Sequence, residues 1–159
     1  KGGVYKPKLK IRKFTDWISG CCILVKTQAI KEVGLLDNYF FAYFEDVDWS
    51  IRMKNQGYKL GVVPKSIIYH HSSGSTKKNN TSNEGNLSPY AHYLNVRNHI
   101  YLIKKHPLFF NSIGSWIYQA LKIASYSIYF ILRGRFEKFK MVWRGVSDGI
   151  KIKNIKHTV

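Results

Sequence analysis

Residues 72–89, SSGSTKKNNTSNEGNLSP, hold a single aliphatic side chain, Leu87, in 18 positions. A stretch of that composition has no face to bury, so the fold has to be built from the sequence on either side of it. It is long for a connection inside a compact domain and reads as a functional or disordered loop. The flanking sequence differs in kind. Upstream the periods are short and mixed, and downstream they are helical.

Upstream, residues 1–13 form a basic, extended lead-in containing Pro7. The run from Trp17 to Val25, WISGCCILV, reads as a buried strand. It contains both cysteines, Cys21 and Cys22. Neighbours on a strand point to opposite faces, so no bridge between them is expected; they read as small buried residues of a reducing compartment. Thr27 offers an N-cap for a short helix that Gly34 ends. After the aromatic run LLDNYFFAYF, a helix is expected from about Asp46, with Glu45, Asp46 and Asp48 at its positive end and Gly57 as its stop. Asp48 and Arg52 are four apart and can pair. KLGVV and SIIYH read as two short strands broken by Pro64.

Downstream, a helix is expected from Tyr90 to His106, before Pro107. A nearly continuous apolar helix should run from Ser112 to Leu132, with Ser115, Gln119, Lys122, Tyr126 and Tyr129 on a narrow polar stripe. Its length could span a bilayer, but the stripe favours a helix lying in the interface or on the domain. Gly134 marks a hinge. A last helix, 135–150, places Phe136, Phe139, Trp143, Val146 and Ile150 on one face, with Arg135, Lys138, Lys140 and Arg144 largely off it. That is the composition of an interfacial helix, or of an ordinary amphipathic helix on a core.

The net charge of +17 calls for an anionic partner: nucleic acid, an anionic leaflet or a phosphorylated small molecule. Charge alone does not choose, but the basic residues crowd the first 13 positions and the segment from Arg133 to Lys156. The acids gather in the middle. There is no recognisable nucleic-acid motif and no Cys/His zinc spacing. The chain begins without Met at KGGVYKPK, no apolar run follows its basic start, and it reads as a fragment without a secretory leader.

Two groups could carry chemistry. Glu45, Asp46 and Asp48 suit a general base that takes a proton from an attacking hydroxyl. By spacing alone, an ordinary negative helix start is favoured over that role. His70 and His71 end an apolar segment, where a histidine can bind a metal or a phosphate or can simply be half-exposed.

The order WISGCCILVKTQAIKEVGLLDNYFFAYFEDVDWSIRMKNQGYKLGVVPKSIIYHHSSGST resembles glycosyltransferase family 2, particularly its rhamnosyltransferase-like branch. The likeness runs element by element over about residues 15–105. It includes Ser19-Gly20, the helix ending in Val-Gly, Leu36-Asp37, the Glu-Asp-x-Asp helix with Arg52 and Gly57, His70, and Val96-Arg97-Asn98. It implies an α/β chain, the C-terminal half of a Rossmann-like GT-A fold, with residues 1–106 as the acceptor-side part of the catalytic domain. Residues 107–159 would form a basic, aromatic, membrane-associating helical region.

The resemblance also implies an inverting mechanism. Asp46 would be the base, and Glu45, Trp17, Ser19 and Gly20 would line the acceptor site. His70 would join a divalent metal, Mg2+ or Mn2+, while Asp48 and Arg52 would hold the helix. The implied partners are a nucleotide-sugar donor, a glycan or polyprenyl-diphosphate-linked acceptor and the anionic cytoplasmic face of the bacterial membrane, without nucleic acid. The donor-binding half is missing: no nucleotide-binding strand is present, and Asp46-Val47-Asp48 belongs to the acceptor helix rather than to a metal motif. The chain alone is therefore expected not to turn over. The alternative is a non-enzymatic basic module that binds an anionic membrane or nucleic acid.

Overall fold

The computed structural model describes residues 13–69 and 87–153. Among them are two short strands, β1 (Lys13–Thr15) and β2 (Leu60–Val62), and five helices. The helices are α1 (Thr27–Val33), α2 (Glu45–Asn55), α3 (Pro89–Lys105), α4 (Ser112–Leu132) and α5 (Phe136–Lys151). The strands pair antiparallel, Lys13 with Val62, Phe14 with Gly61 and Thr15 with Leu60. The described chain is mixed α/β, with α dominant.

The chain divides into two units, each drawn from separate stretches of sequence. The first takes residues 13–36 and 46–69. Its core is Val33, Trp49, Met53 and Leu60, with Ile18, Ile23, Val25, Ile30 and Tyr58 packed against them. Here α2 finishes the C-terminus of α1, whose last carbonyls have no helical partners of their own. Trp49 donates its indole N–H to the Gly34 carbonyl at 2.9 Å. Arg52 donates to the carbonyls of Val33 and Leu35, and its Nε bonds Asp48 at 2.9 Å. The expected Asp48–Arg52 pair is therefore present, and it is buried.

The second unit takes residues 37–45 and 87–153. Helix α3 starts at Pro89 under an N-cap from Ser88, whose hydroxyl accepts from the Ala91 amide. It packs chiefly on α5 and also touches α4. Val96, Ile100, Phe130 and Val142 form its centre. The close approach of α5 depends on two glycines: a Cβ on Gly145 would sit 2.7 Å from the Tyr93 carbonyl oxygen, and one on Gly149 would sit 3.0 Å from the Ile100 Cβ. Gly134 turns the chain between α4 and α5 at φ +63°, a backbone region that favours glycine.

Several expectations are corrected. The run from Trp17 to Val25 is not a strand; it is an irregular segment with a turn at Gly20 and Cys21. No neighbouring strand among the described residues receives it, and its backbone is held by side chains of α2 instead. Cys21 and Cys22 are exposed rather than buried. Thr27 lies inside α1, where the N-cap position is Lys26 and makes no side-chain cap bond. Ser66 to Tyr69 is likewise not a strand. Most of loop 72–89 and residues 70 and 71 lie outside the described residues.

The last two helices leave many apolar side chains outward. On α4 the middle of the polar stripe faces inward, with Gln119 1% exposed, while Tyr129 is 45%, Ile113 76%, Leu121 63% and Leu132 80% exposed. On α5 the buried positions are Lys138, Val142, Gly145 and Gly149, while Phe136, Trp143 and Ile150 are exposed. No helix of the described chain is long and apolar enough to cross a membrane.

Candidate active site

Asp46 lies in the first turn of α2. Its Oδ2 accepts the Gly20 amide N–H at 2.8 Å and its Oδ1 accepts the Val47 amide at 2.8 Å. One turn further on, Ser50 accepts the Ile18 amide at 3.3 Å. Positions 46 and 50 share a helix face, so α2 presents an acceptor pair that the chain 18–20 lies along. Gly20 suits this contact because a Cβ there would stand 3.3 Å from the Asp46 Cβ, tighter than ordinary packing. The Ser19–Cys22 turn closes with the Cys22 amide on the Ser19 carbonyl at 3.3 Å, and the Ser19 hydroxyl rests on the Cys21 sulfur.

A carboxylate has about four acceptor sites. Two of those on Asp46 hold backbone amides, and the side chain is only half-buried, so the rest can receive a hydroxyl proton. Asp48, two residues on, points some 200° away around the helix and is fully buried with Arg52. Of the three clustered acids, only Asp46 and Glu45 are at all accessible. Ser19 and Gly20 are exposed beside Asp46, and Trp17, half-exposed, precedes them on the same segment. The structure thus joins Gly20 to Asp46 directly and puts Ser19 on the same turn. His70 lies outside the described residues.

Just before α2, residues 37–44 form a turn that spacing did not reveal. Phe41, Tyr43 and Phe44 all have positive φ, at 60°, 68° and 71°. Left-handed backbone in bulky residues costs free energy and persists only where neighbours enforce it. Asn98 enforces it here. Fully buried, it aims its amide at the carbonyls of Phe40, Ala42 and Tyr43, at 2.8, 2.7 and 3.0 Å. Arg97 holds the Asn98 oxygen with Nε, donates to the Tyr39 carbonyl at 2.7 Å, and lies over the rings of Tyr39 and Tyr93. Phe44 stacks on His99. Asp37 starts the turn by accepting from the Tyr39 amide, the Tyr101 hydroxyl and the Lys105 ammonium. Burial alone would raise the Asp37 pKa, but these donors outweigh it and hold it below the usual carboxylate value. Arg97 and Asn98 had a sequence signal, their place in the resemblance, though nothing in it said what they hold.

Over 66 residues, 42% of its length, the chain is 38% identical to the N-acetylglucosaminyl-diphospho-decaprenol L-rhamnosyltransferases of two strains of Mycobacterium tuberculosis. The chain is related to a glycosyltransferase. The match spans about a fifth, 22%, of the length of those relatives. No family model and no solved structure matches the chain. Among the described residues, no three His, Cys, Asp or Glu side chains are grouped so as to hold a metal ion.

Proposed function

We propose that this chain is the acceptor-side part of an inverting glycosyltransferase of the family 2, GT-A kind, acting in bacterial surface polysaccharide synthesis. In this reading Asp46 takes the proton from an acceptor hydroxyl as that oxygen displaces the nucleoside diphosphate from the anomeric carbon. The Gly20 amide fixes the carboxylate while leaving it acceptor sites on the exposed side. Ser19, Gly20, Trp17 and Glu45 border the acceptor. The observation that carries the reading is the Asp46 carboxylate, anchored to Gly20 at the start of α2 and still accessible. The likeness to a rhamnosyltransferase supplies the reaction class, and that relative's name supports a sugar on a lipid diphosphate as the acceptor.

The described residues do not fit a metal ion. We assign Mg2+ or Mn2+ to donor-side residues beyond this chain together with His70, and no step above runs through it. The donor-binding half belongs to those same residues, so the chain by itself should not transfer sugar.

The test is Asp46→Asn in the complete enzyme, assayed with nucleotide sugars and a lipid-linked acceptor. Transfer should fall by roughly 10²- to 10⁴-fold, while losing one of the two amide contacts should cost only about 1–3 kcal/mol of stability and leave the enzyme folded. Transfer near the wild-type rate would show that Asp46 is not the base.

A further inference from the structure

Helices α4 and α5 send Phe130 and Val142 into the core, yet leave a second set of apolar side chains outward. Toward α3, α4 turns Gln119, which bonds the Val96 carbonyl, and Lys122, which bonds Asn95. Burial lowers the Lys122 pKa to about 8. Outward, α4 turns Ile113, Ile117, Leu121, Ile128 and Leu132, all more than half exposed, with Trp116 beside them. Their spacing of three, four and seven puts them on one face along the full length of the helix. Helix α5 repeats the arrangement, with its glycines inside and Phe136 and Trp143 outside. The Trp143 indole donates to Ser127 of α4, which joins the two exposed faces. Soluble chains seldom leave so long an apolar face uncovered.

Charge identifies the occupant. Residues 112–153 carry eight Lys or Arg and two Asp or Glu. Arg133, Lys140 and Arg144 are exposed next to the apolar face. An apolar helical face with flanking cations and an edge tryptophan matches the boundary of an anionic bilayer, where aliphatic side chains reach acyl chains and cations reach headgroups. Because no described helix is long and apolar enough to cross a membrane, the fit is to a surface. We infer that the outward face of α4, continued by Phe136 and Trp143 of α5, docks the protein on an anionic lipid bilayer. The inference stands on these helices and does not need the sugar-transfer reading; with that reading, it holds the acceptor site at the cytoplasmic face of the membrane.

The test is co-sedimentation of the full chain with phosphatidylcholine vesicles, with and without phosphatidylglycerol. Binding should be roughly tenfold or more tighter to the anionic vesicles and should weaken with salt. Ile117→Glu with Leu121→Glu changes only exposed side chains and should lower binding at least tenfold with the helical circular dichroism unchanged. Arg133→Gln with Arg144→Gln should erase most of the preference for anionic lipid. As a second readout, brominated acyl chains should quench wild-type tryptophan fluorescence more than that of Trp116→Phe.

Vesicle binding unaffected by the double glutamate change would overturn the inference, as would equal quenching in the two proteins. So would a dimer that the glutamates dissociate while vesicles bind neither form, or binding to polynucleotide without binding to vesicles. Vesicle binding by this chain, with no sugar transfer by the complete enzyme, would leave docking intact and count against the transferase reading alone.

Discussion

At the scale of single residues, the two best-determined side chains are Arg52 and Asn98, and each works by donating to several backbone carbonyls at once. Replacing Arg52 with Leu would leave Asp48 buried and charged, with the Val33 and Leu35 carbonyls unmet. A broken buried pair costs about 3–5 kcal/mol, so urea unfolding should show a loss of that order. Asn98→Ala should cost about 1–3 kcal/mol, the usual penalty for stranded buried polar groups. Asn98→Asp should cost more than Asn98→Ala, because a carboxylate would face the three carbonyls with no proton to donate; the order of the unfolding midpoints checks this. The Asp48–Arg52 pair was readable because an i, i+4 spacing is a property of sequence. The Gly20–Asp46 contact was not, since its partners are 26 residues apart and join only through the fold. The role of Asn98 was hidden for a further reason: its targets are left-handed residues whose φ no composition announces.

At the scale of elements, the helix spans were legible and their orientation was not. Ser112–Leu132 emerged from the sequence with its ends correct because the length of the apolar run and the Gly134 hinge are local signals. Which side of it faces the protein is set by α3 and α5, and the pattern of a single helix does not contain that. The irregular run Trp17 to Val25 has strand composition, but a strand also needs an edge to pair with, and that is a tertiary fact. Glycines separate the two influences cleanly. Gly145→Ala gains up to about 1 kcal/mol of helix propensity but forces a methyl onto the Tyr93 carbonyl, and overpacking of this kind costs about 1–3 kcal/mol. It should therefore lower the melting temperature. Gly114→Ala meets only the Asn111 side chain, at 3.5 Å, and should be neutral or slightly stabilising in the same scan.

At the scale of the whole molecule, pH and charge act in one direction. Burial, with help from Lys138, Lys122 and Arg135, pushes His92 down to about 4 from an ordinary 6.5. Between those values the unfolded chain binds a proton that the folded chain refuses, so stability falls as pH drops from about 6.5 toward 4. Asp37 adds to this at lower pH: its folded pKa is depressed below 3.8, and the stability it contributes is lost as pH falls through that value. Lys122 has the same sign in its own window, with stability rising from pH 8 to 10.5. Acidification also enlarges a net charge already at +17. Melting temperatures should therefore fall between pH 7 and pH 4, and added salt should recover part of the loss by screening. A flat profile over that range would contradict the burial of His92.

The interleaving of the two units has its own consequence for how the chain is made. The turn at residues 37–45 is completed by Asn98, which stands 55 to 58 positions later. During synthesis from the N-terminus, the aromatic turn leaves the ribosome well before its clamp exists, and the left-handed residues at 41, 43 and 44 have no reason to hold their conformation until α3 follows. The segment leading into Asp46 is thus made before the residues that set it. A nascent chain stalled before residue 98 would carry Phe41, Tyr43 and Phe44, yet not the side chain that holds their carbonyl-lined turn.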